Sequence, residues 1–235
     1  VRFWNQRQVC LLGMILLSLP ASASDKLTGF PFTDETLRYS VNWPGGLSLG
    51  EGQFRATREG EVWKFQFTLS AEIPVYSARE DHRATATSEL CSLELNKESL
   101  RGKRKTSETT RFDRESGVAT RTTSGGGKSE FAIPVCARDA LTFLYLTRRE
   151  LGQGRVPPPE RIYFGAAYDL RLEYKGERTV MVAGRSTVTD LVAVTLKGPK
   201  SAWTFDMFFA RDAARTPLVI RVPFAIGSFS LELVR

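Results

Sequence analysis

The chain contains one histidine, three cysteines and 26 acidic residues, so any catalytic or metal centre must be assembled from these. A hydrolase would make His82 the base, Asp81 its orienting carboxylate and a serine such as Ser77 the nucleophile. Adjacent residues of an extended strand point to opposite faces, so Asp81 cannot easily orient His82 if this segment is a strand. The G-x-S-x-G elbow is missing as well. His82 therefore reads as a hydrogen-bonded or solvated histidine. Zinc would need carboxylates that do not cluster. Calcium loops of the Asp-x-Asp-x-Asp-Gly type are absent, and Gly125-Gly126-Gly127 lacks both the context of a phosphate loop and a following helix. We expect no catalytic residue, no metal site and no cofactor, and a hydrolase ranks last among the readings.

The cysteines carry a clearer signal, and the first 23 residues give their context. Arg2 and Arg7 precede an apolar run from Val9 to Leu19, Pro20 breaks it, and Ala21-Ser22-Ala23 supplies the small residues of a cleavage site. Residues 1–23 read as a secretory signal peptide. The run is too short for a transmembrane anchor, which needs about 20 apolar residues. Export implies a periplasmic or extracellular, oxidising location. Cys10 falls within the leader, and Cys91 and Cys136 remain. An even pair in such a compartment most often forms a disulfide, and this pair has neither C-x-x-C spacing nor a histidine close by.

Charge and aromatic patterning suggest binding. The formal net charge is +7, a mild excess that fits solubility and weak attraction to anionic surfaces, and no nucleic acid is expected as partner. Residues 101–128 hold eight Lys or Arg and three acids. They could meet anionic lipid head groups or glycan, but solvated strands whose charges guard an edge are the simpler reading. Trp63, Phe65 and Phe67 alternate along one segment, and Trp203, Phe205, Met207 and Phe209 along another. Together with Leu144, the first six are the candidate lining of a cavity for a lipid or other apolar ligand. A dry core is the commoner fate of such stripes.

The elements that position these residues are mostly strands. Leu37, Tyr39 and Val41 alternate with polar residues, Trp43-Pro44-Gly45-Gly46 is a turn, and Gly50 and Gly52 suggest a bulge or close backbone contact. His82–Glu89, Ser92–Leu95, Leu100–Phe112 and Val118–Thr123 read as polar strands, with a turn at Asn96-Lys97-Glu98. Lys175-Gly176 reads as a hairpin. One segment breaks the period of two. Asp139 is a good N-cap, Gly152 a good stop, and the residues between are apolar nearly all round, which predicts a buried helix over 139–151. Ten to twelve strands joined by short turns around one helix predict a mainly β, antiparallel, up-and-down sheet forming an incomplete or closed barrel. The domain plan is a signal peptide (1–23), a flexible leader (24–34) and one β-rich domain (35–235).

Three stretches together resemble a known family. They are Leu37–Trp43 followed by Gly50-Glu51-Gly52; Asp139-Ala140-Leu141 with Tyr145-Leu146, Arg148-Arg149 and Leu151–Gly154; and Phe209–Asp212 with Pro217-Leu218, Ile220 and Gly227-Ser228-Phe229. Their order and spacing resemble the DUF3108 family of exported bacterial proteins, over nearly the whole chain after the leader. The resemblance implies an exported β-rich domain and no established activity. It also suggests an architecture similar to the lipoprotein-carrier folds, in which an incomplete barrel encloses a helix and an apolar cavity. The expected function is non-catalytic binding of an apolar or amphipathic envelope molecule. The alternative is a structural or assembly role beside another envelope protein.

Overall fold

The computed structural model describes residues 27–73, 76–199, 201–224 and 227–234. The expected signal peptide, Cys10 and residues 24–26 of the expected leader lie outside them. The elements in chain order are β1 (Glu35–Asn42), β2 (Ser48–Glu59), β3 (Val62–Ile73), β4 (Tyr76–Thr87), β5 (Ser92–Arg101), β6 (Arg104–Asp113), β7 (Val118–Thr123), β8 (Lys128–Ala132) and β9 (Arg138–Asp139). Helix α1 (Ala140–Gly152) follows, then β10 (Glu160–Tyr163), β11 (Ala167–Val182), β12 (Arg185–Lys197), β13 (Ala202–Ala210), β14 (Pro217–Phe224) and β15 (Gly227–Val234).

The fifteen strands among the described residues form one sheet, in the order β8-β7-β6-β5-β4-β3-β2-β1-β15-β14-β13-β12-β11-β10-β9. β1 to β8 form one meander, and β10 to β15 form a second. The two join where β1 pairs antiparallel with β15, Tyr39 opposite Leu233. Among the described residues only the short β9–β10 pairing is parallel. The sheet is therefore up-and-down and antiparallel, as its alternation predicts, and it is not closed. Its inner face wraps α1, which touches β3, β4, β9 and β10.

Sequence pattern explains most of these elements. In β1, Leu37, Tyr39 and Val41 face inward opposite Phe54, Gly52 and Gly50 of β2. The register slips beside Gly50, whose φ is +155°; a Cβ there would lie 2.0 Å from the Ser70 carbonyl oxygen. The backbones meet at that point, and only glycine fits. Asp139 caps α1 through its side chain, which accepts from the backbone N–H groups of Leu141 and Thr142 at 2.8 and 3.1 Å.

Three local expectations are corrected. Asn96-Lys97-Glu98 is not a turn but the middle of β5, and the hairpin lies further on at Gly102-Lys103, where Arg101 opposes Arg104. Polar residues suggested a loop, but here they form a strand with one polar inner face. Lys175-Gly176 is a bulge inside the 16-residue β11, and the chain reverses at Ala183-Gly184 instead. Both of those residues have positive φ, 48° and 74°, as a tight two-residue hairpin demands. Finally, the part of the expected leader that is described is not loose. Phe30 is 1% exposed, and its ring packs edge-on against Trp63 and Tyr145 with centroids 4.9 and 4.8 Å apart.

Cys91 and Cys136 form the expected disulfide, with Cα atoms 4.8 Å apart. It ties the β4–β5 turn to the segment entering β9 and α1. Beside it, Ser92 N–H donates to the Ala137 carbonyl at 2.9 Å. For a loop of 45 residues, chain-entropy reasoning puts the crosslink at ~4 kcal/mol. Thiol labelling without reductant should find neither cysteine free, and a Cys91→Ser, Cys136→Ser double variant should lose stability of that order in urea unfolding. Two reactive thiols in the native protein would contradict the pairing.

Candidate functional site

The inner face divides along the strand direction. At one end α1 fills the sheet. Phe65 stacks on Tyr145 at 4.0 Å, Trp63 lies against Phe30, and Phe209 is fully buried. Arg148 of α1 is buried there as well, its side chain 1% exposed, with Nη1 and Nη2 both donating to the Glu35 carboxylate and Nε donating to the Ala214 carbonyl at 3.0 Å. Beyond the helix, towards the opposite end, the inner face is unfilled. A cavity of about 530 Å³ remains there, within the ~300–1,000 Å³ of small-molecule sites.

The walls of this cavity are almost wholly apolar. α1 contributes Leu141, Phe143 and Leu144; β3 and β13 contribute Phe67, Leu69, Phe205 and Met207; and β11, β12 and β14 add aliphatic side chains such as Leu172, Val194 and Ile220. Of the candidate lining residues, Phe67, Leu144, Phe205 and Met207 are brought together here. Trp63 and Phe65 are not. They share the inward face of β3 with Phe67 but sit further along, where the helix covers them. Trp203 lies beyond the cavity near the start of β13 and is 42% exposed. Strand alternation reveals the face of a residue but not how far along the strand the helix reaches.

One wall is charged, and the sequence did not suggest it. Glu80, His82 and Arg101 line the cavity, and pairing places Glu80 opposite Ser99 and His82 opposite Lys97. Glu80 accepts from Arg101 Nε at 2.8 Å, from Ser99 Oγ, and lies 3.1 Å from His82 Nε2. Lys97 bonds Glu108 at 2.8 Å and rests 3.9 Å above the Phe164 ring. The misplaced turn at 96–98 concealed this wall, because a turn has no inward face.

The arrangement is not that of a nucleophilic triad. The Glu80 carboxylate binds both Ser99 and His82 through Oε2, so the serine faces the acid and not the base. Asp81 points to the other face, where it pairs with Arg83 and accepts from Gln66 at 3.0 Å. Burial pushes the Glu80 carboxyl up, but the hydrogen bonds from His82, Ser99 and Arg101 and the Arg101 charge outweigh it and lower it from 4.5 to about 2. A carboxyl held low in the folded state contributes stability that is complete above its unfolded value and is lost as pH falls towards the folded one. Glu80→Gln should therefore flatten the loss of stability between about pH 4.5 and pH 2 in acid titration followed by circular dichroism. An unchanged acid limb would contradict the role given to these bonds.

An open, β-barrel-like antiparallel sheet curled round one helix, with an apolar cavity beside that helix, defines the class of protein. A family model described as a protein of unknown function (DUF3108) matches residues 38–234, and the chain belongs to that family. A crystal structure of a beta-barrel-like protein of the domain of unknown function DUF1849 from Brucella abortus is similar in fold. It has a TM-score of 0.61, 7% identity, and coverage of 86% of this chain and 96% of that one. A comparison with curated proteins finds no match. Among the described residues no helix is long and apolar enough to cross a membrane.

Proposed function

We propose that this protein is exported to the periplasm or beyond and there binds, without chemical change, an apolar or amphipathic molecule of the cell envelope. The observation that supports the reading is the cavity: about 530 Å³ of unfilled space walled by Phe67, Leu144, Phe205, Met207 and their aliphatic neighbours. Space of this kind in a core weakens packing, because its lining loses contacts. A bound apolar molecule would restore them. The alternative role, an assembly partner for another envelope protein, requires no such space.

Binding is tested by titrating delipidated protein with the fluorescent apolar probe 1-N-phenylnaphthylamine. Saturable binding near micromolar Kd, about −8 kcal/mol, is expected. Fluorescence that rises linearly without saturation would overturn the reading and favour the assembly role. Export is tested separately by fractionating the native host and sequencing the mature N-terminus. A start at Ser24 is expected, and a cytoplasmic protein that retains residues 1–23 would remove that part of the proposal.

A further inference from the structure

The charged wall points to the kind of head group such a ligand carries. This inference rests on the binding reading above and specifies its ligand. Strand pairing puts Arg101 opposite Arg104, Ser99 opposite Thr106 and Lys97 opposite Glu108, so these side chains share the inner face of the β5–β6 hairpin. Lys97, Ser99, Arg101, Arg104 and Thr106 line a groove of about 320 Å³, and Arg101 lines both this groove and the apolar cavity. An acyl chain in the cavity would bring its head group out beside Arg101.

The charge there is uneven. On this inner face the carboxylates are Glu80 and Glu108, and the cations are Lys97, Arg101, Arg104 and Arg121. Glu80 takes Arg101, and Glu108 takes both Lys97 and Arg121. Arg104 forms no salt bridge among the described residues, and the hairpin adds the exposed Lys103 and Lys105. The side chain of Arg101 is 65% exposed, so one of its faces remains open to a second anion. Thr106 supplies a hydroxyl group beside these cations, whereas the Ser99 hydroxyl donates to Glu80. Guanidinium groups bind carboxylate and phosphate oxygens through strong, directional hydrogen bonds.

We propose that the ligand is an anionic amphiphile, its chain in the apolar cavity and its carboxylate or phosphate head group on Arg101 and Arg104. The groove lies at the same end of the sheet as the cavity's free edge, and its excess positive charge complements the head group. A neutral lipid would leave that excess unmet, and a cationic one would be repelled by it.

The test compares amphiphiles of equal chain length below their micellar concentrations: palmitate, hexadecyl phosphate, hexadecanol and hexadecyltrimethylammonium, each by displacement of 1-N-phenylnaphthylamine. At least one of the anions should bind about tenfold or more tightly than the alcohol. That preference should shrink as salt rises. The stronger of the two anions tells a carboxylate head group from a phosphate one. Arg104→Glu should weaken the preferred anion about tenfold and leave hexadecanol unchanged; because Arg104 is exposed and without an ion pair, the variant is expected to fold. Equal affinities for all four head groups, or tighter binding of the cation, would overturn this proposal while leaving apolar binding intact. If none of the four displaces the probe, this proposal fails, and failure of the probe itself to bind removes the underlying reading.

Discussion

Replacing Arg148 with alanine should destabilise the protein by about 3–5 kcal/mol, the largest single loss expected from a polar position. The guanidinium lies at the end of the sheet filled by α1, packed over the rings of Phe30 and Tyr145 at 5.5 and 5.2 Å. Burial disfavours its charge, but the two bonds to Glu35 more than compensate, and its proton is held more tightly than usual. Truncation would leave the Glu35 carboxylate in a dry site with no cation, and that orphaned charge is the main cost. It would also strip the Ala214 carbonyl of its donor. Urea unfolding measures the loss. A double variant, Glu35→Leu with Arg148→Met, should recover much of it, since a well-packed apolar pair often matches a buried ion pair. A loss below about 1 kcal/mol for Arg148→Ala would mean that water reaches the pair.

Phe205→Asp should abolish apolar-probe binding, with an affinity loss of at least about a hundredfold, or ~2.7 kcal/mol. Phe205 lies on the cavity wall opposite Val194 of β12 and between Trp203 and Met207 on its own strand face. A carboxylate there must either remain charged against apolar walls or take up a proton, and an acyl chain beside it removes the water it needs. Leu144→Asp, on the helix side of the same space, should act alike. Since Leu144 is only half-buried, its cost to folding should be smaller than that of a charge at a fully buried position such as Tyr145. Circular dichroism separates the two effects. Binding that survives in folded Phe205→Asp would place the ligand somewhere other than this cavity.

The sequence revealed the class of fold and the helix, since both depend on local signals. Asp139 marks the start of α1, whose end falls at the expected Gly152 but is capped by Gln153, with the left-handed turn at Gly154, and alternation from Leu37 to Val41 or from Trp203 to Phe209 marks an inward face. Phe67, Leu144, Phe205 and Met207 could be named in advance for that reason. Other features depend on pairing between distant strands. Phe65 and Phe67 are alike in type and face, and only the position of Tyr145 makes one core and the other cavity wall. The Glu35–Arg148 bond joins residues 113 apart, and nothing near either one announces it. The charged wall was missed for a different reason. Asn96-Lys97-Glu98 has turn chemistry, and its strand conformation comes from pairing with β4 and β6 on either side. Local preference was overruled by the sheet.

The open sheet also bears on what sets the girth of the molecule. A closed barrel has its girth set by strand number and stagger, and widening it breaks a whole row of ladder bonds. Here β8 and β9 share no ladder. Near this seam, Tyr163 Oη donates to the Ala132 carbonyl at 3.2 Å, and the Phe131 and Tyr163 ring centroids are 6.3 Å apart. The disulfide fixes the β4–β5 turn to the chain entering β9, just after the end of β8. Along this line side chains rather than a backbone ladder hold the edges together, so no row of ladder bonds sets the girth of the sheet there.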